Sequence, residues 1–206
     1  VSIDEILSKM RESRDSEEKK CKFCSTVGVD GDDALRAEYY RRIIERYSKV
    51  VSFGEEKSIP ELKRMVAPGE CVEAKAAELG GEREALEFVK ALPLLHAKLS
   101  VSFWLSPREA LELGAGDVMD KAVLLCSLLL AQSVNVFLRV IELDGGTKHP
   151  VVLVKSERGA CVLDAVSGDS FDGSNIEAAL RQLSFEGKPY ARSLYEFNNA
   201  NYESFQ

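Results

Sequence analysis

Histidine is scarce in this chain: 206 residues hold only His96 and His149, which excludes a three-histidine metal centre. Positive charge is also short. Lys and Arg total 27 against 34 Asp and Glu, for a formal net charge of −7. That balance argues against nucleic acid or an anionic membrane as the main partner, because both reward a concentrated basic face. A long pure apolar run is missing too. The longest apolar stretch, Val123 to Ile141, is broken by Ser127, Gln132, Ser133, Asn135 and Arg139, a polar load that suits a buried helix followed by a strand better than a membrane span. The five cysteines are an odd number without disulfide-framework spacing. The expectation is a reducing, cytoplasmic setting with mostly buried thiols. The first twenty residues (VSIDEILSKMRESRDSEEKK) are charged and lack the apolar core of a secretory signal. Neither an internal repeat nor a low-complexity linker is visible.

What is present is a helical first half. Ile3, Ile6, Leu7 and Met10 keep helical spacing in a charged segment over 1–20, and a Gly/Asp-punctuated loop follows over 21–33. A second helix is expected from Asp33, with Leu35, Tyr39, Ile43, Ile44, Tyr47 and Val51 on its period. Ser58-Ile59-Pro60-Glu61 and Ser106-Pro107-Arg108-Glu109 both read as capped helix starts. Further helices are expected over 70–79 and 82–95. After the Gly114-Ala115-Gly116-Asp117 turn, a helix over 118–132 is apolar around its whole circumference and therefore buried. Three strand-like runs follow, Asn135–Leu143, His149–Lys155 and Ala160–Val166, separated by the hairpin signals Asp144-Gly145-Gly146 and Glu157-Arg158-Gly159. A short helix near 175–183 and an aromatic-rich tail close the chain. One central helix followed by antiparallel strands gives an α+β class. The division expected is a helical region over 1–95 packed on a core over 96–206.

The segment WLSPREALELGAGDVMDKAVLLCSLLLAQSVNVFLRVIEL, then KHPVVLV, then ACVLDAV, resembles the transglutaminase-like superfamily of papain-type fold, in its archaeal and bacterial form. In that family a Gly-Asp-Cys-x-Asp turn opens a buried helix, a His begins the next-but-one strand and an Asp lies on the strand after it. The match covers residues 100–168, about a third of the chain. It implies a papain/transglutaminase-like core with the site at Val118, His149 and Asp164, lined by Trp104, Gly116, Asp117 and Asp120. The physical logic holds without the family. The first turn of a helix favours a thiolate. Adjacent antiparallel strands set His149 beside Asp164 if both face the helix. The Asp would then fix the imidazole's tautomer while the imidazole takes the thiol proton. Strict pairing about the second hairpin leaves the two residues out of line, so a bulge or longer loop is expected to adjust the register.

This sequence departs from the pattern at the decisive position. Val118 stands where the family has its cysteine, and valine has no nucleophilic atom. Two other cysteines are poor substitutes: Cys126 lies about 12 Å further along the same helix, and Cys161 alternates to the strand face opposite Asp164. Pro150, where the family has a small residue, removes a backbone donor beside His149.

Other constellations read more plainly. Cys21-x-x-Cys24, with Cys71 and His96 as further candidates, falls short of a convincing tetrahedral zinc set, so no metal and no cofactor is expected. Asp30, Asp32 and Asp33 lack the calcium-loop pattern and read as a turn and cap. The resulting expectation is a catalytically inactive pseudoenzyme that binds a peptide or protein partner through the residual cleft. Two alternatives stay open. One is an architectural or assembly protein using the helical half; the other is a hydrolase of non-thiol chemistry using His149 and Asp164. Homo-oligomerisation is compatible with either.

Overall fold

The computed structural model describes residues 31–47, 57–95, 104–156 and 159–205. The N-terminal helix over 1–20, the Cys21/Cys24 loop, Asp30, Phe103 and His96 lie outside the described residues. The chain divides into two compact units between Ile44 and Glu45. Helix α1 (Gly31–Tyr47) straddles that point and begins two residues before Asp33. Its charged face is tied by Arg41 and Arg42, which donate to Glu38 at 2.7 and 2.9 Å, as neighbours one turn apart do.

In the second unit, local chemistry sets the helix ends. Helix α2 (Ile59–Val66) starts on the Ser58 capping box with Pro60 in its first turn. Helix α3 spans Glu70–Glu78 and α4 spans Glu82–Ala91. The latter stops short of the expected residue 95 because Leu92, preceding Pro93, is extended. Helix α5 (Pro107–Leu113) carries a complete capping box at Ser106 and ends on Gly114 in the left-handed region. These helices surround α6 (Val118–Ala131), in which every residue from Asp120 to Leu129 is buried. The all-round apolar pattern of the sequence is explained by that position.

Helix α6 also packs on an antiparallel sheet larger than the expected three strands. Strands β1 (Val136–Leu143), β2 (Thr147–Ser156) and β3 (Gly159–Leu163) are joined by β4 (Ser170–Gly173), β5 (Ser184–Phe185), β6 (Lys188–Phe197) and β7 (Tyr202–Ser204). The order is β4-β3-β2-β1-β6-β5, with β7 on β6. The aromatic tail is thus a sheet strand paired with β1. Its alternation is broken by register shifts between Val140 and Ile141 and between Glu142 and Leu143, which hides a strand from a period-two reading. On one sheet face, Ile141, Leu143, Val151, Leu153 and Val162 pack with Ala179, Leu180 and Leu183, from and just after α7 (Ile176–Leu180). By alternation, Leu138, Val140 and Val152 point to the other face, where α6 lies. The α+β class expected from the sequence is the observed one.

Candidate functional site

Two clusters hold the residues that the sequence singles out. The first is the turn that opens α6. Asp117 caps the helix, its carboxylate accepting from the Asp120 N–H at 2.8 Å, and Asp120 returns the bond to the Asp117 N–H at 3.0 Å. The second oxygen of Asp120 accepts from the Leu105 N–H at 2.6 Å, which pins the Trp104–Ser106 segment to the helix start. Gly116 is required by this arrangement, since a β-carbon there would lie 2.7 Å from that of Asp120. Trp104 stacks on Phe197 at 6.4 Å between ring centres, with the Lys57 ammonium 4.4 Å from its own ring. Val118 is the first residue of α6 and is half-buried, as are Asp117 and Met119.

Asp120 is fully buried and carries two backbone donors. Burial, reinforced by the negative charge of Asp117, nonetheless pushes its pKa up to about 8.

The second cluster lies at one end of β2 and β3. His149 Nε2 and Asp164 Oδ2 are 3.0 Å apart, and the residues are only 1% and 2% exposed. No bulge is needed to bring them together. The β2–β3 ladder is regular from Ser156↔Gly159 to Val152↔Leu163, because Gly159 belongs to the strand and not to the turn. Continuing that register, Asp164 falls opposite Val151, and His149 is its diagonal neighbour on the same face. Long side chains span that separation. Beyond Leu163 the strand ends because Asp164 organises a turn: its Oδ1 accepts from Val166 and Ser167, and its carbonyl accepts from Gly168. Pro150 pairs with Val140 of β1 but lies past the last β3 pair, so the missing donor is accommodated there.

Burial alone would raise the Asp164 pKa. The His149 hydrogen bond and charge, with the Val166 and Ser167 N–H groups, outweigh it and hold the carboxyl below its ordinary value. The His149 ring stacks on Phe185 at 4.2 Å, on the sheet face that carries the α7 cluster and not, as expected from the sequence, on the face toward α6, because His149 alternates with Pro150 and Val152. The two clusters approach each other through Lys121. Burial lowers the pKa of this lysine, opposed by the charge of Asp164, and its ammonium donates to the carbonyls of Lys90 and Leu92, each at 3.1 Å.

Neither of the nearby thiols is poised for attack. Burial drives the Cys126 pKa up to about 12, and burial with the Asp172 carboxylate does the same to Cys161. Cys71 is exposed. Among the described residues, no group of three or more His, Cys, Asp or Glu is placed to hold a metal ion, and no helix is long and apolar enough to cross a membrane. Two open grooves lie elsewhere. One of about 1020 Å³ runs between α4 and β3–β4, and one of about 910 Å³ lies over Arg139, Lys155 and Tyr190. The latter cluster escaped the sequence reading, in which Arg139 registers only as a charge interrupting an apolar run.

The family described as the CEP76 peptidase-like domain matches residues 102–200, just under half of the chain. This span takes in Trp104, the head of α6, His149 and Asp164. No curated protein is recovered as a relative. Among solved structures the chain is similar to LapG of Legionella pneumophila at 16% identity and a TM-score of 0.47, covering 68% of this chain and 89% of that one. The calcium-bound form of LapG gives 15% identity and the same TM-score, covering 70% and 74%. A candidate cysteine protease of Cytophaga hutchinsonii gives 12% identity and a TM-score of 0.41, covering 69% and 52%.

Proposed function

We propose that this chain is a catalytically inert relative of papain- and transglutaminase-type cysteine enzymes, and that it acts by binding a peptide or protein segment. Support comes from the match of residues 102–200 to a peptidase-like domain and from the order helix head, His149, Asp164 along the chain. The observation that carries the inert reading is Val118 at the first position of α6, where an enzyme of this type needs its nucleophile. The Cys126 and Cys161 thiols, both at about 12, hold almost no thiolate at neutral pH.

In this reading His149 and Asp164 serve as a buried brace that fixes the ends of β2 and β3. Their near-complete burial also disfavours a water-activating hydrolase built on the same pair, because such a base needs access to water. The peptide contact proposed is the half-buried head of α6, at Asp117, Val118 and Met119. The test is an assay of the native chain for peptidase, deamidase and cross-linking turnover, with and without a thiol-alkylating reagent. No turnover in either condition is expected. Turnover abolished by alkylation refutes the reading, and alkylation-resistant turnover lost in His149→Ala establishes the hydrolase alternative instead.

A further inference from the structure

The face of the sheet that carries α7 holds a second buried charged cluster, centred on Arg139. Arg139 of β1 is 5% exposed and Glu196 of β6, directly across from it, is 2% exposed. The Arg139 guanidinium donates to Glu196 Oε2 through Nε at 3.0 Å and Nη2 at 2.7 Å, and to the Ser193 hydroxyl through Nη1 at 3.0 Å. Lys155 of β2 donates to the other Glu196 oxygen at 2.6 Å. Two cations therefore share one buried carboxylate, and both border the groove of about 910 Å³. Three of the five N–H donors of a guanidinium are committed by these bonds.

The β6 register shifts are what build this site. Strict alternation from Glu196 would bring Leu194 and Arg192 to the face of Arg139. The two bulges instead pair Ser193 with Ile141 and Tyr190 with Leu143, so both hydroxyls arrive beside the guanidinium. Bulges that re-aim side chains in this way are found next to functional sites. Phe205 covers the guanidinium at 4.4 Å from its ring centre, and Phe137 lies 3.8 Å from the Lys155 ammonium. These aromatic faces hold the cations in place.

One further carboxylate already occupies the groove. Glu177 of α7 stands 3.9 Å from Arg139 Nη1, too far for a hydrogen bond, and its side chain is 55% exposed. It is held instead by the Tyr190 hydroxyl, at 3.1 and 3.2 Å to its two oxygens. Such a loose, hydrated ion pair contributes little and is readily exchanged for a carboxylate that reaches the guanidinium directly.

We propose that this groove is a carboxylate-binding site, in which Arg139 and Lys155 hold the anion and Glu177 is the occupant it displaces. The ligand is an acidic side chain or a free C-terminus of a peptide, two sources of one chemistry. The site lies apart from Val118 and does not rest on the inert-enzyme reading.

The test is an amide-shift titration of the isotopically labelled chain with four probes. These are acetyl-Glu-amide for the side chain, acetyl-Gly-Gly with a free carboxylate for the terminus, acetyl-Gln-amide as a neutral match, and inorganic phosphate. Saturable shifts at Glu177, Tyr190 and Ser193 are expected with one or both carboxylate probes, and which of them binds identifies the source. In Glu177→Gln, a surface change that leaves the buried cluster intact, affinity should rise about threefold, the scale of a screened ion pair. Lys155→Gln should weaken binding about tenfold through loss of a charge-assisted contact. Equal response to the neutral probe, binding of phosphate alone, absence of saturation, or indifference to both substitutions would each overturn the proposal.

Discussion

Asp120 and Asp164 are both buried carboxylates accepting backbone N–H bonds, yet their pKa values move in opposite directions. The difference lies in the nearest charge. Asp120 has the carboxylate of Asp117 beside it, so burial wins and the proton is held to about 8. Asp164 has His149, whose hydrogen bond and charge overcome the same burial cost. Burial pushes both carboxyls upward; the neighbour decides whether that push prevails. The head of α6 is a hydrogen-bonding clasp in which Asp120 retains its proton beside Asp117, whereas the β2–β3 end carries a polarised pair.

The strongest way to break this contrast is to remove the favourable neighbour. His149→Ala leaves Asp164 buried without its partner and should cost about 3–5 kcal/mol, as one-sided loss of a buried pair does. Urea unfolding at pH 7 measures it, and a loss under 1 kcal/mol would show that the pair braces nothing. Next in size is Gly116→Ala. The added β-carbon must push against Asp120, and a cost of about 1–3 kcal/mol is expected from overpacking, read as a lower melting temperature.

Stability depends on pH with opposite sign at the two carboxyls. Asp120 has a raised pKa in the folded state, so its contribution is complete below the ordinary carboxylate range and is lost as pH rises from about 4 to about 8. Asp164 has a lowered pKa, so its contribution is present above that range and is lost as pH falls through its folded value. Unfolding free energies measured across pH should show Asp120→Asn flattening the slope between pH 5 and 8, by at most about 1.4 kcal/mol per pH unit, while leaving the acid limb unchanged. The smallest expected effect is at Ser106, whose hydroxyl accepts from the Glu109 N–H at 3.3 Å. Ser106→Ala should cost about 1 kcal/mol through the lost cap, with no change in either limb.

Local chemistry was legible in the sequence. Ser58 with Pro60, Ser106 with Pro107, and the turn ending at Asp117 each announce a helix start, and the structure places helices there. The adjacency of His149 and Asp164 followed from the hairpin between them, although counting Gly159 as turn exaggerated their offset. Half of the sheet was not legible. Strand β5 has two residues and β4 four, too short for a pattern, and β6 loses its alternation at two bulges. Arg139 and Glu196 meet across 57 residues, beyond the reach of any local window, so their cluster could emerge only from the folded chain.

In the proposed reading, the head of α6 and His149 belong to the frame of a cysteine enzyme with its nucleophile missing. Alkylation rate against pH in Val118→Cys tests it most directly, with the Val118→Cys/His149→Ala double variant as its reference. A thiolate forming well below the free-cysteine value of about 8.5 is expected, with the acid shift reduced in the double variant. A thiol that titrates at or above that value, with or without His149, would contradict that reading.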